Sequence, residues 1–130
     1  MSVTRRRGTA IVETSKGILV VAGRNKVFML PGGGAEHGES RKKATIRELY
    51  EETNLKTKEI HYLFSYLGHK WHTKSGKSVR NDSKVFLVKA YGDVRPRNEI
   101  KHIAFWKPNS KLHISSGTRK SIMQYLTKHQ

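Results

Sequence analysis

Pro31-Gly-Gly-Gly34 is the sharpest punctuation in this chain, and it separates two stretches of opposite character. Before it, Val27-Phe-Met-Leu30 is a short β-prone run that the Pro-Gly cluster must end. After it, Arg41 to Thr53 contains neither glycine nor proline. Ser40 stands at the N-cap, and Asn54 occupies the C′ position, where a left-handed residue is required. The chain is therefore expected to pass from a strand, through a glycine loop, into one helix over 41–53.

The remaining runs complete an α/β expectation. Thr9–Val12 and Ile18–Ala22 predict a hairpin with Gly17 in its turn. Ile60–Leu67 and Lys84–Tyr91 predict two further strands, with a solvated loop or hairpin tip over 70–82 and a second loop over 93–99. Ile103–Trp106 reads as a last strand. Thr118–Lys128 reads as a C-terminal helix with Ile122, Tyr125 and Leu126 on one face. This order implies a mixed β-sheet flanked by helices. At 130 residues the chain is expected to form a single domain over 1–130, long enough for a core without the disulfides that its lack of cysteine forbids. No apolar run reaches membrane-spanning length and no secretory signal opens the chain, so the expectation is a cytoplasmic protein with no membrane association.

Charge then points to chemistry. The net charge is +16, which favours a polyanionic partner. Residues 1–35 carry net +5 and residues 60–130 net +11, yet Glu36, Glu39, Glu48, Glu51, Glu52 and Glu59 put six of the ten acids into one 24-residue segment. On a helical wheel with Glu48 at 0°, Glu51 and Glu52 fall near 300° and 40°, and Ala44 near 320°. Ile46, Leu49, Tyr50 and Thr53 fall at about 100–200° and are expected to be the buried stripe. Glu48 has glutamates at i+3 and i+4 and no cation at helical contact spacing, so its charge is a liability unless something offsets it. Either this is a solvated acidic face or it holds a hard divalent cation.

The residues around the helix decide between these. Gly33, Glu39, Arg47, Glu48, Leu49, Glu51, Glu52 and Leu55 fall in register with G-x5-E-x7-R-E-U-x-E-E-x-G-U, where U is a bulky aliphatic residue. This segment resembles the Nudix box of the Nudix hydrolases, of the MutT-like kind, with Asn54 replacing the usual glycine at a helix-capping position that asparagine can fill. The resemblance implies an α/β/α sandwich. It implies that Glu48, Glu51 and Glu52 ligate Mg²⁺ or Mn²⁺ together with the Gly33 carbonyl, and that Glu39 and Arg47 form a supporting ion pair. It also implies hydrolysis of a nucleoside diphosphate linked to another moiety.

Outside the box, Arg24 ends a predicted strand near the glycine loop, as a phosphate contact or as ordinary surface charge. Glu99 is the only glutamate after residue 59; several members of the family place a metal ligand or general base in a loop of this kind. Arg41, Lys42 and Lys43 oppose the helix dipole, as tolerated surface charge or as substrate phosphate ligands. Arg5-Arg-Arg7 reads as a disordered basic arm, with a reach into the cleft as the alternative. His69 and His72 read as solvated. Tyr66, Trp71, Phe105 and Trp106 are candidates for stacking a base or for the core.

By analogy, a short chain with no appended domain favours a nucleoside triphosphate pyrophosphohydrolase. Other readings are hydrolysis of ADP-ribose, dinucleoside polyphosphates or an RNA 5′ end. Against ADP-ribose, no proline lies between Pro31 and Pro96, whereas many members acting on it have one soon after the box. A basic nucleic-acid-binding module without catalysis is the rival from another class. A monomer or a homodimer would serve any of these.

Overall fold

The computed structural model describes residues 2–128. Strand β1 (Ser2–Ile11) runs parallel to β7 (Ser78–Tyr91) and antiparallel to β4 (Gly32–Gly34). On its other edge β7 pairs with β5 (Lys56–Leu67) and, near its start, with β6 (Trp71–His72). A second sheet holds β2 (Glu13–Thr14), β3 (Gly17–Ala22) and β8 (His102–Trp106) in that order. Helix α1 (Arg41–Thr53) covers one side of this layer and α2 (Ser116–Lys128) the other. Alternation along the strands sorts the core accordingly. Ala10, Phe86 and Val88 join Leu49 of α1, while Ile11, Val85 and Phe64 join Ile122 and Tyr125 of α2.

Helix α1 starts and stops where its caps direct. Ser40 accepts a hydrogen bond from the Lys43 N–H at 3.0 Å, and Asn54 sits in the left-handed region with φ 68°. The expected hairpin forms between β2 and β3, but it turns at Ser15-Lys16, with Gly17 paired to Thr14, and its first arm is Glu13–Thr14, because β1 belongs to the other sheet.

Four expectations are corrected. Arg5-Arg-Arg7 is no disordered arm: these residues pair with Asn81, Asp82 and Ser83 inside the larger sheet. Val27–Leu30 is not a strand and touches its neighbours through single bridges, Val21 to Met29 and Phe28 to Ile114. The paired segment is the glycine run itself, whose N–H and C=O groups face β1. Strands β5 and β7 extend well beyond their apolar runs. The polar start of β7 is held by ladders on both edges, which require backbone groups and not hydrophobic side chains.

The fourth correction concerns the docked face of α1. Its buried residues are Ala44, Thr45, Leu49, Glu52 and Thr53, whereas Ile46 and Tyr50 are 36% and 40% exposed. The cause lies in β1. A Cβ at Gly8 would stand 2.1 Å from Thr45 Oγ1 and 2.2 Å from the Arg41 carbonyl oxygen. The helix therefore sits on the sheet by its small residues, closer than a larger stripe would allow, and this turns Glu52 inward.

Candidate active site

Glu52 is only 6% exposed, and the Gly32 N–H donates to its Oε1 at 3.1 Å. Burial, reinforced by the charges of Glu48 and Glu99, pushes its carboxyl up to about 8, against the pull of the Gly32 bond and of Arg7. Glu48 lies one helical turn away, its carboxyl also raised, chiefly by burial. Its side chain packs on the glycine run so closely that a Cβ at Gly33 would lie 2.5 Å from Glu48 Cδ. Any side chain at Gly33 would displace that carboxylate.

Glu99 completes the group. Glu48, Glu52 and Glu99 each offer a carboxylate oxygen within 4.8 Å of the others. Glu99 is fixed by the way the loop over 93–99 satisfies the end of α1, whose last carbonyls lack partners within the helix. The N–H groups of Arg95 and Arg97 donate to the carbonyls of Thr53 and Glu52 at 3.0 and 3.1 Å. Asn98 Nδ2 donates to the Glu51 carbonyl at 2.8 Å, and Asn54 Nδ2 donates to the Asp93 carbonyl at 2.9 Å. The asparagine that replaces the motif glycine thus ties this loop down through an amide that glycine lacks.

Arg47 organises the other flank. Its Nε and Nη2 donate to the two Glu39 oxygens, both at 2.9 Å, and Nη2 also donates to the Gly34 carbonyl at 3.1 Å. Arg47 and the Glu36 N–H hold the Glu39 carboxyl down at about 2. Arg47 Nη1 reaches Glu48 Oε1 at 2.7 Å and Glu51 Oε2 at 3.2 Å. The expectation that no helical cation offsets Glu48 is therefore corrected: adjacent helix positions do not face each other, but a long guanidinium spans the gap. Glu51, its side chain 45% exposed, stays with Arg47 and is not brought into the three-carboxylate group.

These carboxylates line a cleft of about 580 Å³ with Gly32, Gly33, Arg7 and Arg24. Arg24 is where the sequence placed it. Arg41 is not; its Nη1 lies 3.2 Å from Asp82 Oδ2, a clamp between α1 and β7, and neither Lys42 nor Lys43 lines the cleft. Arg7 lines the cleft from an ordered strand, which is the alternative that the sequence offered to the disordered arm. Burial, with the like charge of Arg5, pushes its guanidinium down from the usual range, against the opposite charges of Glu52 and Glu48. A second cleft of about 420 Å³ shares Arg7 and Met29 with the first and is rich in hydroxyls: Ser83, Ser115, Ser116, Thr118 and Ser121. Of the candidate aromatics, Trp106 is core, Tyr66 lines the second cleft, Phe105 packs at the edge of the α1 core and Trp71 is exposed. His69 also lines the second cleft, while His72 is exposed on β6.

The donor set suits a hard divalent cation: clustered carboxylates, one of them buried and destabilised when charged, beside a backbone that only glycine leaves open. Among the described residues no helix is long and apolar enough to cross a membrane.

Comparison with known proteins agrees with this geometry. The crystal structure of a Nudix hydrolase family member from Chromobacterium violaceum superposes with TM-score 0.77 at 37% identity, over 95% of this chain and 77% of that one. MutT protein from Methanosarcina mazei shares the fold at TM-score 0.77 and 16% identity, over 98% and 96% of the two chains. An RNA pyrophosphohydrolase from Shewanella sp. (strain W3-18-1) is 39% identical over 61 residues, 47% of this chain and 35% of the relative, so the match spans about a third of that curated protein. With the NUDIX domain model matching residues 4–125, nearly the whole described fold, the chain belongs to the Nudix family.

Proposed function

We propose that this protein is a divalent-metal-dependent hydrolase of a diphosphate bond in a nucleoside substrate, acting as a MutT-like nucleoside triphosphate pyrophosphohydrolase. The observation that carries this reading is the meeting of Glu99, from a distant loop, with Glu48 and Glu52 of α1 in one cleft beside two arginines. Glu48, Glu52 and the Gly33 carbonyl hold Mg²⁺ or Mn²⁺, with Glu51 adding negative charge at the rim. When bound, the metal neutralises phosphoryl oxygens and eases deprotonation of water.

The chain's own groups do the rest. Arg7 and Arg24 bind non-bridging phosphate oxygens and orient the reacting phosphorus. Glu99 takes the proton of the attacking water. The water oxygen bonds to one phosphorus as its bridging P–O bond breaks, yielding a nucleoside monophosphate and pyrophosphate. Arg47 and Glu39 position the helix against the glycine run. The second cleft, joined to the first at Arg7, accepts the nucleoside.

A coupled phosphate-release screen over nucleoside triphosphates, ADP-ribose and dinucleoside polyphosphates, with pyrophosphatase or phosphatase added to free orthophosphate from the products and with Mg²⁺, Mn²⁺ or chelator, tests this. Turnover should require metal, and Glu99→Gln should lower kcat by ~10²-fold or more with folding intact. Absence of metal-dependent turnover across the panel would favour the non-catalytic binding module. The curated relatives and the +16 charge favour one second reading, hydrolysis at an RNA 5′ end, which a 5′-triphosphorylated oligoribonucleotide in the same screen examines.

A further inference from the structure

The exposed ring of Tyr50 belongs neither to the core nor to the proposed chemistry, yet it has a partner. The Arg97 guanidinium lies over it, 4.8 Å from the ring centroid, and its Nη1 donates to the Tyr50 carbonyl at 3.2 Å. A flat cation on an aromatic face and a bond to a helix-terminal carbonyl act at the same place, so both fasten Arg97 to the last turn of α1. Arg97 in turn opens the segment that presents Glu99. The Ile100 N–H donates to the Arg97 carbonyl at 3.0 Å and closes a four-residue turn with Asn98 second and Glu99 third. Asn98 has φ 54°, and asparagine, like glycine, accepts the left-handed region that this turn position demands.

Glu99 needs this scaffold because nothing holds its side chain. Among the described residues its carboxylate makes no hydrogen bond or ion pair, while Glu48 and Glu52 offer carboxylate oxygens within 4.8 Å that repel it when charged. Its place in the cleft is therefore set through the backbone of the turn. Toward α1, the Arg97 N–H and Asn98 Nδ2 donate to the Glu52 and Glu51 carbonyls. Toward the smaller sheet, Ile100 is buried and the Lys101 N–H donates to the Ala22 carbonyl at 2.8 Å. Lys101 Nζ closes back on the Asn98 carbonyl at 3.2 Å. The stack of Arg97 on Tyr50 lies at the surface, so it can be removed without opening a cavity.

We propose that Tyr50, Arg97 and Asn98 are positioning residues for Glu99: the stack and the left-handed asparagine set where its carboxylate meets the attacking water, without touching substrate. A carboxylate held by its backbone alone moves with that backbone, and a misplacement of ~1 Å in a reacting geometry costs on the order of 10²-fold. The three act through Glu99, so they govern kcat and leave the hold of Arg7 and Arg24 on the substrate unchanged. The role of Glu99 rests on the hydrolase reading; the pinning of the turn does not.

The first measurement is hydrogen exchange at the Ile100 amide, followed by NMR in chelator, because this N–H closes the turn. Tyr50→Ala should quicken it roughly fivefold, as should Arg97→Lys, which keeps the charge but loses the flat face. Tyr50→Phe keeps a face for the guanidinium and should exchange like wild type. Asn98→Gly keeps the left-handed turn, loses the bond to the Glu51 carbonyl and should also quicken exchange roughly fivefold. The second measurement is turnover of the best substrate at saturating Mg²⁺. Tyr50→Ala should lower kcat about tenfold with KM within about twofold, and Tyr50→Phe should recover it. In a Glu99→Gln background Tyr50→Ala should change nothing further, since its effect passes through that carboxylate. Unchanged Ile100 exchange in Tyr50→Ala and Arg97→Lys would overturn the proposal. So would a kcat loss that persists in the Glu99→Gln background, or a rise in KM in its place. Failure of the hydrolase reading would appear as a wild type without turnover in the nucleotide screen, and the exchange measurement would still decide whether the turn is pinned.

Discussion

Glu52 should make the metal-free protein lose stability as pH rises, the opposite of the common carboxylate effect. Its folded carboxyl titrates at about 8 because it is buried beside Glu48 and Glu99. In the unfolded chain it returns to the ordinary range near 4.5. A carboxyl raised on folding gives stability that is fully present below the unfolded value and lost as pH climbs through the folded one. The native state then holds a proton that the unfolded state has released, and each tenfold fall in proton concentration costs up to ~1.4 kcal/mol. Across pH 5 to 8 the total is on the order of a few kcal/mol, which corresponds to roughly 10 °C in Tm for a domain of this size. The assay is thermal melting in chelator at half-unit pH steps, wild type beside Glu52→Gln. Glutamine keeps an oxygen for the Gly32 N–H but cannot ionise, so the difference between the two curves isolates this group from the histidines. The wild-type Tm should fall across the window, with the variant far flatter. Added Mg²⁺ should restore the wild type most strongly near pH 8, because a ligand must lose its proton to bind metal. Parallel curves for the two proteins in chelator would refute the argument.

Three further outcomes follow from the same geometry. Glu48→Gln should melt within a few degrees of wild type in chelator, since glutamine can still accept from Arg47, but it should lose most of the Mg²⁺-induced Tm increase; an equal Mg²⁺ shift would remove Glu48 from the ligand set. Gly8→Ala should destabilise by ~2 kcal/mol or more in denaturant unfolding, because its Cβ would collide with Thr45 and the Arg41 carbonyl, and a wild-type midpoint would contradict that close approach. Asn54→Gly keeps the left-handed cap but removes the amide bond to Asp93, so it should cost ~1 kcal/mol and loosen amide exchange over 93–99, whereas unchanged exchange would show the loop to be held without it.

The sequence alone determined what local chemistry determines. Ser40 and Asn54 bounded α1 correctly because capping uses side chains within a few residues of the helix end. The resemblance to the Nudix box implied the pairing of Arg47 with Glu39, eight positions apart, and the two meet at 2.9 Å. The acid concentrated in one segment marked the carboxylate cluster, and Arg24 and Glu99, singled out by likeness to where family members carry such groups, line the same cleft. Tertiary structure decided the rest. Which face of α1 is buried depended on Gly8, a residue 33 or more positions away that reads as nothing more than a break in a basic run. The wheel grouped apolar side chains, whereas contact distance to the sheet selected small ones, and that choice turned Glu52 inward and left Ile46 and Tyr50 outside. Arg5-Arg-Arg7 became a strand because β7 offered its edge, and backbone pairing is blind to side-chain charge. Long-range hydrogen bonding and close approach leave no periodicity in the chain, so the choice between a basic arm and Arg7 in the cleft, and the holding of Glu51 at the rim by Arg47, were decided only in the assembled sheet.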